Sequence, residues 1–173
     1  MIKVDLLSRL DRLDEDSSYV FSEENKFKIV IVGGCALVLQ DYIKRSTYDI
    51  DALLVSKELT GILSKYDIDI RVSAYSCNFP YNFEDRLLKL DIGGRRIDFY
   101  TVSLEDIVIS KIYSNRLKDK IDIENDNVLN ELNWELLDIL VNDEMEVKAS
   151  SLNNRTYSEL KQSYEDYKRR FKK

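Results

Sequence analysis

Apolar residues recur at Ile2, Leu6, Leu7, Leu10 and Leu13, the spacing of one helix face, which predicts a helix over residues 2–14. Residues 14–25 are polar and read as a loop. The run 27–32 (FKIVIV) is rich in β-branched residues and reads as a buried strand. Gly33-Gly34 end it, and residues 35–43 read as a helix packed on the sheet. A second strand is predicted over 48–55 (YDIDALLV), a helix over 57–65 and a short strand over 68–72. Residues 73–85 are aromatic and polar, hold the single proline, Pro80, and read as a surface loop. Alternating segments at 86–92 and 95–101, joined by Gly93-Gly94, predict a hairpin with a tight primed turn. Ser103 is placed to cap a helix from Leu104 to about Leu117, with Asp106 at its third position in a carboxylate variant of the capping box. Two more helices are expected, over about 126–142 and 156–171.

This order of elements predicts an α+β fold, a small mixed sheet flanked by helices and followed by a helical C-terminal part. The expected division is a core over 1–102 and a helical part over 103–173, packed on the core as one compact unit.

Composition narrows the chemistry. The 173 residues suit one domain with a small appendage, and a hydrophobic fraction of 44% supports a core. The formal net charge of −6 disfavours nucleic-acid binding through the overall field, leaving only local basic patches for it. Histidine is absent, which removes Ser-His-Asp and Cys-His nucleophilic mechanisms and imidazole metal ligation. Cys35 and Cys77 alone build no thiolate zinc site. Any catalytic metal must be held mainly by carboxylates, as suits a hard ion such as magnesium or manganese. The start lacks the layout of a signal peptide, and the longest apolar run is too short to span a bilayer. A cytoplasmic protein with reduced thiols and no membrane contact is the expectation.

Asp49 and Asp51 stand two apart on a predicted strand, where alternation puts both carboxylates on one face. Two like charges on one face need compensation, and a divalent cation with oxygen ligands provides it. The spacing alone is weak: it recurs at Asp67-Ile68-Asp69 and, with a glutamate, at Asp122-Ile123-Glu124. Context selects the first pair. Upstream, strand, Gly33-Gly34 and helix follow in order, a layout in which backbone N–H groups can approach a phosphate, although a plain tight turn would look the same. Downstream, Asp98 in RRIDFY faces away from Ile97 and Phe99, on the side of Arg96 and Tyr100. If its strand lies beside that of Asp49, three carboxylates converge; otherwise Asp98 is a surface partner of Arg96.

Taken together, VGG, RSTYDIDALLV and RIDFY resemble the DNA polymerase beta-like nucleotidyltransferase superfamily, most closely the minimal bacterial transferases of the AbiEii and MenT toxin type. The run from Arg45 to Asp51 matches their Arg-x-Thr-x-Asp-Ile-Asp, and SLEDIVISKIYSNRLKDKIDI resembles the helical segment carrying a Lys, an Arg and a Lys-Asp pair. The resemblance covers roughly residues 27–125. It implies transfer of a nucleoside monophosphate from a nucleoside triphosphate to a hydroxyl of tRNA, a protein or a small molecule, with an antitoxin as partner in the toxin version. It implies Asp49, Asp51 and Asp98 as metal ligands for magnesium or manganese, and Lys111, Arg116 and Asp119 as functional positions; on a continuous helix Lys111, Lys118 and Asp119 would share one face. Gly33, Gly34, Arg45 and Thr47 fall at the nucleotide. The chain departs from the pattern in a longer run between Gly34 and Asp49 and in a Gly where a Ser is common, so Ser46 or Thr47 would have to supply the hydroxyl. The rival from another class is an inactive nucleotide-binding module acting through protein contacts.

The C-terminal YKRRFKK is basic; a solvated helix end explains it better than contact with RNA phosphates. The 11 tyrosines read mostly as packing residues, and Cys35 as a small core residue.

Overall fold

The N-terminal apolar stripe forms α1 (Lys3–Val20), which runs well beyond the expected end at residue 14. The stripe does not stop at Leu13. Asp14 and Ser17 continue it as fully buried polar residues. Ser17 donates its hydroxyl to the Leu13 carbonyl at 2.7 Å. Asp14 accepts three backbone N–H groups, from Arg95 at 2.9 Å, Arg96 at 2.7 Å and Ile97 at 2.7 Å. A hydrophobicity count ends the helix where its buried face turns polar but stays satisfied.

The chain is seen here in a computed structural model that describes residues 1–71, 78–114, 116–143, 145, 147 and 157–172. It divides into two compact units, one of Met1–Ala74 with Leu87–Val102, the other of Tyr75–Arg86 with Ser103–Lys173.

The first unit holds a five-stranded mixed sheet made of β1 (Phe27–Ile31), β2 (Ile50–Leu53), β3 (Ile68–Asp69), β4 (Leu88–Gly93) and β5 (Ile97–Thr101). Their order across the sheet is β3-β2-β1-β5-β4. β1 runs antiparallel to β2 and parallel to β5, β2 parallel to β3, and β4 antiparallel to β5. The architecture is α+β. Ile29, Ile31, Ile50, Ala52, Ile97 and Phe99 are fully buried, as are Leu6, Leu10 and Leu13 of α1. α2 (Gly33–Leu39) follows β1, and a short α3 (Thr60–Leu63) sits between two 3-10 turns where one helix was expected. Val72, the expected end of the third strand, lies outside the described residues.

The β4–β5 hairpin does not close through a two-residue turn. Gly94, Arg95 and Arg96 connect the strands, and the Gly94 N–H donates to the Ile97 carbonyl at 2.8 Å. Asp14 explains the longer loop, because its carboxylate gathers the N–H groups of residues 95–97 that a tight turn would direct elsewhere. Gly93 and Gly94 still adopt the positive φ, +73° and +93°, that glycine permits.

In the second unit, Ser103 caps α4 (Leu104–Tyr113), accepting from the Asp106 N–H. Its hydroxyl donates to the Asp106 carboxylate at 2.8 Å, which also takes two bonds from Arg86, from Nε at 3.0 Å and Nη2 at 2.7 Å. The capping box is thus replaced by a buried ion pair. Residues 78–86 are more than a surface loop, since Phe79 and Phe83 are buried with ring centroids 5.6 Å apart. The expected helix from 104 to 117 ends at Tyr113, and a separate α5 (Leu117–Ile123) follows. The expected helix over 126–142 is also two, α6 (Asp126–Glu131) and α7 (Trp134–Asn142). Asn133 enforces that break: its side chain accepts from the Leu136 N–H at 3.0 Å, and its own N–H reaches Glu105 at 3.0 Å. α8 (Tyr157–Phe171) closes the unit. Among the described residues, no helix is long and apolar enough to cross a membrane.

Candidate active site

Gly33 turns the chain from β1 into α2 with φ +68°, a conformation that glycine tolerates and L side chains resist. A Cβ there would come within 2.6 Å of Asp51 Oδ2, so the Asp51 carboxylate lies against the bare Gly33 backbone. A Cβ on Gly34 would collide with Nη2 of Arg45, whose guanidinium covers that glycine. The two glycines therefore make room for one anion and one cation. Arg45 Nη1 also donates to the Ser46 carbonyl at 3.1 Å.

Asp51 is half-buried on β2, and Asp49 is exposed in the bend just before it. The strand starts at Ile50, so strand alternation does not by itself place both carboxylates, as had been expected. Both nevertheless bear on the same thiol. Burial first, and then the Asp51 charge with a smaller part from Asp49, pushes Cys35 up to about 12. Its Sγ donates to the Val32 carbonyl at 3.1 Å, so Cys35 is a protonated core residue, as the sequence suggests. Thr47, two residues before Asp49, is buried, and its hydroxyl finds no hydrogen-bond partner among the described residues.

The structure does not bring Asp98 to this pair. β1 separates β5 from β2. Asp98 is level with Lys28, whereas Asp51 is level with Val32, whose N–H donates to the Asp51 carbonyl at 2.9 Å. Four residues of strand amount to about 13 Å along the sheet, and two strand spacings add about 10 Å across it. Asp98 does face away from the core with Tyr100, but its ionic partner is Lys89 at 2.9 Å, not Arg96. Among the described residues, no group of three carboxylates or thiols is close enough to hold a metal ion. The carboxylate that does stand beside Asp51 is Asp69, in register on β3. Its Asp-x-Asp spacing was a visible signal; which strands pair was not.

Lys111, Arg116 and Asp119 do meet, within the second unit, though not on one helix. Lys111 lies in the last turn of α4 and Asp119 in the first turn of α5. The Lys111 ammonium bonds Asp119 Oδ1 at 2.5 Å and Asp122 Oδ2 at 2.9 Å, with all three side chains at most 5% exposed. Ser114 and Arg116 each donate to Asp119 Oδ2 at 2.6 Å. Burial opposes ionisation of Asp119, but Lys111 and these hydrogen bonds outweigh it and hold its carboxyl below the usual range. Asp122 is the member of this cluster that sequence reasoning passed over.

Over residues 8–172 the chain matches the family described as "Nucleotidyltransferase of unknown function (DUF6036)". The chain belongs to this family. Comparisons with curated proteins and with solved structures give no match. In this nucleotidyltransferase the basic C-terminus is largely committed to its own unit. Lys168 and Lys172 bond Asp138 at 2.6 and 3.1 Å, and Arg170 bonds Glu124 at 3.0 Å.

Proposed function

We propose that this nucleotidyltransferase moves a nucleoside monophosphate from a triphosphate to a hydroxyl acceptor, with Asp49 and Asp51 marking the metal and phosphate site. The observation that carries the reading is the Asp51 carboxylate seated on the Gly33 backbone, with the Arg45 guanidinium on Gly34. That arrangement sets anionic oxygens and a cation side by side against side-chain-free backbone at one bend.

The donor set fits a hard divalent ion. Magnesium is commonly held by one or two carboxylates, with waters and substrate phosphates completing its shell, so two aspartates suffice without a third. When bound, such an ion neutralises phosphate charge and orients the α-phosphate for in-line attack. Gly33 and Gly34 leave room for Asp51 and Arg45 against the backbone, Arg45 adds positive charge, and the Thr47 hydroxyl, without a partner among the described residues, is a further donor. In the reaction the acceptor oxygen forms its bond to the α-phosphorus while the bond to the bridging oxygen breaks. Pyrophosphate leaves with that electron pair, and the hydroxyl proton passes to solvent. The resemblance also implies roles for Lys111, Arg116 and Asp119, which form an ionic cluster within the second unit. Asp98, paired with Lys89, has no part in the metal shell.

The acceptor is tRNA, a protein hydroxyl or a small molecule. Incubating the protein with each α-phosphate-labelled triphosphate, magnesium and a cell extract should label one of these fractions. Binding without any transfer would instead make the chain a nucleotide-binding module. A toxin role adds no chemistry and predicts growth arrest from expression of the native chain but not of Asp49→Asn, relieved by a co-expressed antitoxin.

A further inference from the structure

We propose that Arg71 is a nucleotide-binding residue of this enzyme: its guanidinium, fixed by Asp69 on the strand next to Asp51, holds the β- and γ-phosphates that leave as pyrophosphate. The inference rests on the reading above, in which Asp49 and Asp51 mark the phosphate site.

β2 and β3 pair in parallel with Asp51 opposite Asp69, so both carboxylates project from the same face of the sheet. Like charges directly opposite on neighbouring strands repel, and a cation is needed close by. Arg71 supplies one immediately beyond β3. Its N–H donates to Asp69 Oδ1 at 2.8 Å, Nε sits 3.0 Å from each carboxylate oxygen, and Nη2 lies 2.5 Å from Oδ2. The Asp69 side chain is only 18% exposed, whereas that of Arg71 is 89% exposed. An ion pair whose cation is so open to water adds little stability. What the pairing does is fix the direction of a guanidinium that otherwise has many rotamers.

The grip on Asp69 uses the Nε–Nη2 edge of the fork and leaves Nη1 with no bond among the described residues. A planar guanidinium with one edge anchored can offer its remaining donors to a second anion, in the geometry that suits phosphate. Asp49 also acts on this arginine. The bond to Asp69 first, its charge next, and more weakly the charge of Asp49 raise the Arg71 pKa. Arg71 thus extends from the edge strand β3, bonded to the aspartate that stands in register with Asp51 on β2. Charge builds on the leaving group in phosphoryl transfer, and a pre-set cation is suited to meet it. Asp69 is then a positioning residue acting through Arg71.

Calorimetric titration of the full chain tests this with four non-hydrolysable α,β-methylene triphosphates and the four monophosphates, all with magnesium. Arg71→Ala should weaken triphosphate binding by about tenfold or more, the loss of one charge-assisted contact. Monophosphate affinity and melting temperature should not move. Arg71→Lys should recover part of the loss, and Asp69→Asn should show a smaller loss with the same selectivity for triphosphate. Equal weakening of both nucleotides, or triphosphate binding by Arg71→Ala as tight as or tighter than wild type, would overturn the proposal and leave the guanidinium as a neutraliser of the acidic edge. A wild-type chain that binds neither nucleotide would remove the active-site reading itself, and this inference with it.

Discussion

At the scale of single residues, Gly33 and Cys35 make the clearest demands. Gly33→Ala has to carry a side chain at φ +68° and push aside the Asp51 carboxylate 2.6 Å away. The strained backbone costs about 1–2 kcal/mol, and displacement of Asp51 should abolish nucleotide transfer in a chain that still folds. Denaturant titration and transfer of labelled nucleotide check the two effects separately. Cys35, 1% exposed and pushed up to about 12, should resist thiol reagents at neutral pH until the chain unfolds. The glycine pair and Asp51 could be read from the sequence because they are local: a strand ends, two glycines follow, and an acidic strand comes next. Asp69 and Asp122 could not, although each sits in a visible Asp-x-acid spacing. Their neighbours depend on which strand pairs with β2 and on where α4 breaks from α5, and neither is written within a few residues of them.

At the scale of elements, most strands and helices follow from period and turn chemistry, and the errors have a common cause. α1 outran its hydrophobic pattern, and the hairpin loop outgrew its two glycines, through one buried carboxylate, Asp14. Asp14→Ala would leave three N–H groups of residues 95–97 without their acceptor, and buried groups left unsatisfied cost about 1–3 kcal/mol each. A loss of several kcal/mol in chemical denaturation is expected, with Asp14→Asn milder because one oxygen remains. A loss below about 1 kcal/mol, the net worth of an ordinary hydrogen bond, would show that the loop is held by other means. The same lesson applies to Asn133, a polar residue that splits a helix-like apolar pattern by capping its second half. The placement of Asp98 failed for a different reason. Its alternation on β5 was right, but β5 pairs with β1 and not with β2.

At the scale of the whole molecule, a chain with no histidine must draw its acid sensitivity mainly from carboxylates. Asp138 is the clearest case. Burial works against its ionisation, but hydrogen bonds from Lys168, Tyr164 and Lys172 outweigh it and hold the carboxyl at about 2, below the ordinary 3.8. A depressed folded-state pKa gives stability that is fully present above the ordinary value and lost as pH falls from about 4 to about 2. Asp138→Asn should therefore melt below wild type at pH 6, and the gap should close near pH 2. A gap that stays constant across that range would place the effect in packing and not in charge.

The central proposal is that Asp49 and Asp51, the latter against the Gly33 backbone, hold the metal of this nucleotidyltransferase. The most direct measurement compares wild type with Asp51→Asn for transfer of α-labelled nucleotide with magnesium and with a chelator, with circular dichroism confirming the fold of both. The account predicts transfer by wild type only, and only with the metal. Undiminished transfer by folded Asp51→Asn, or by wild type in the chelator, would contradict it.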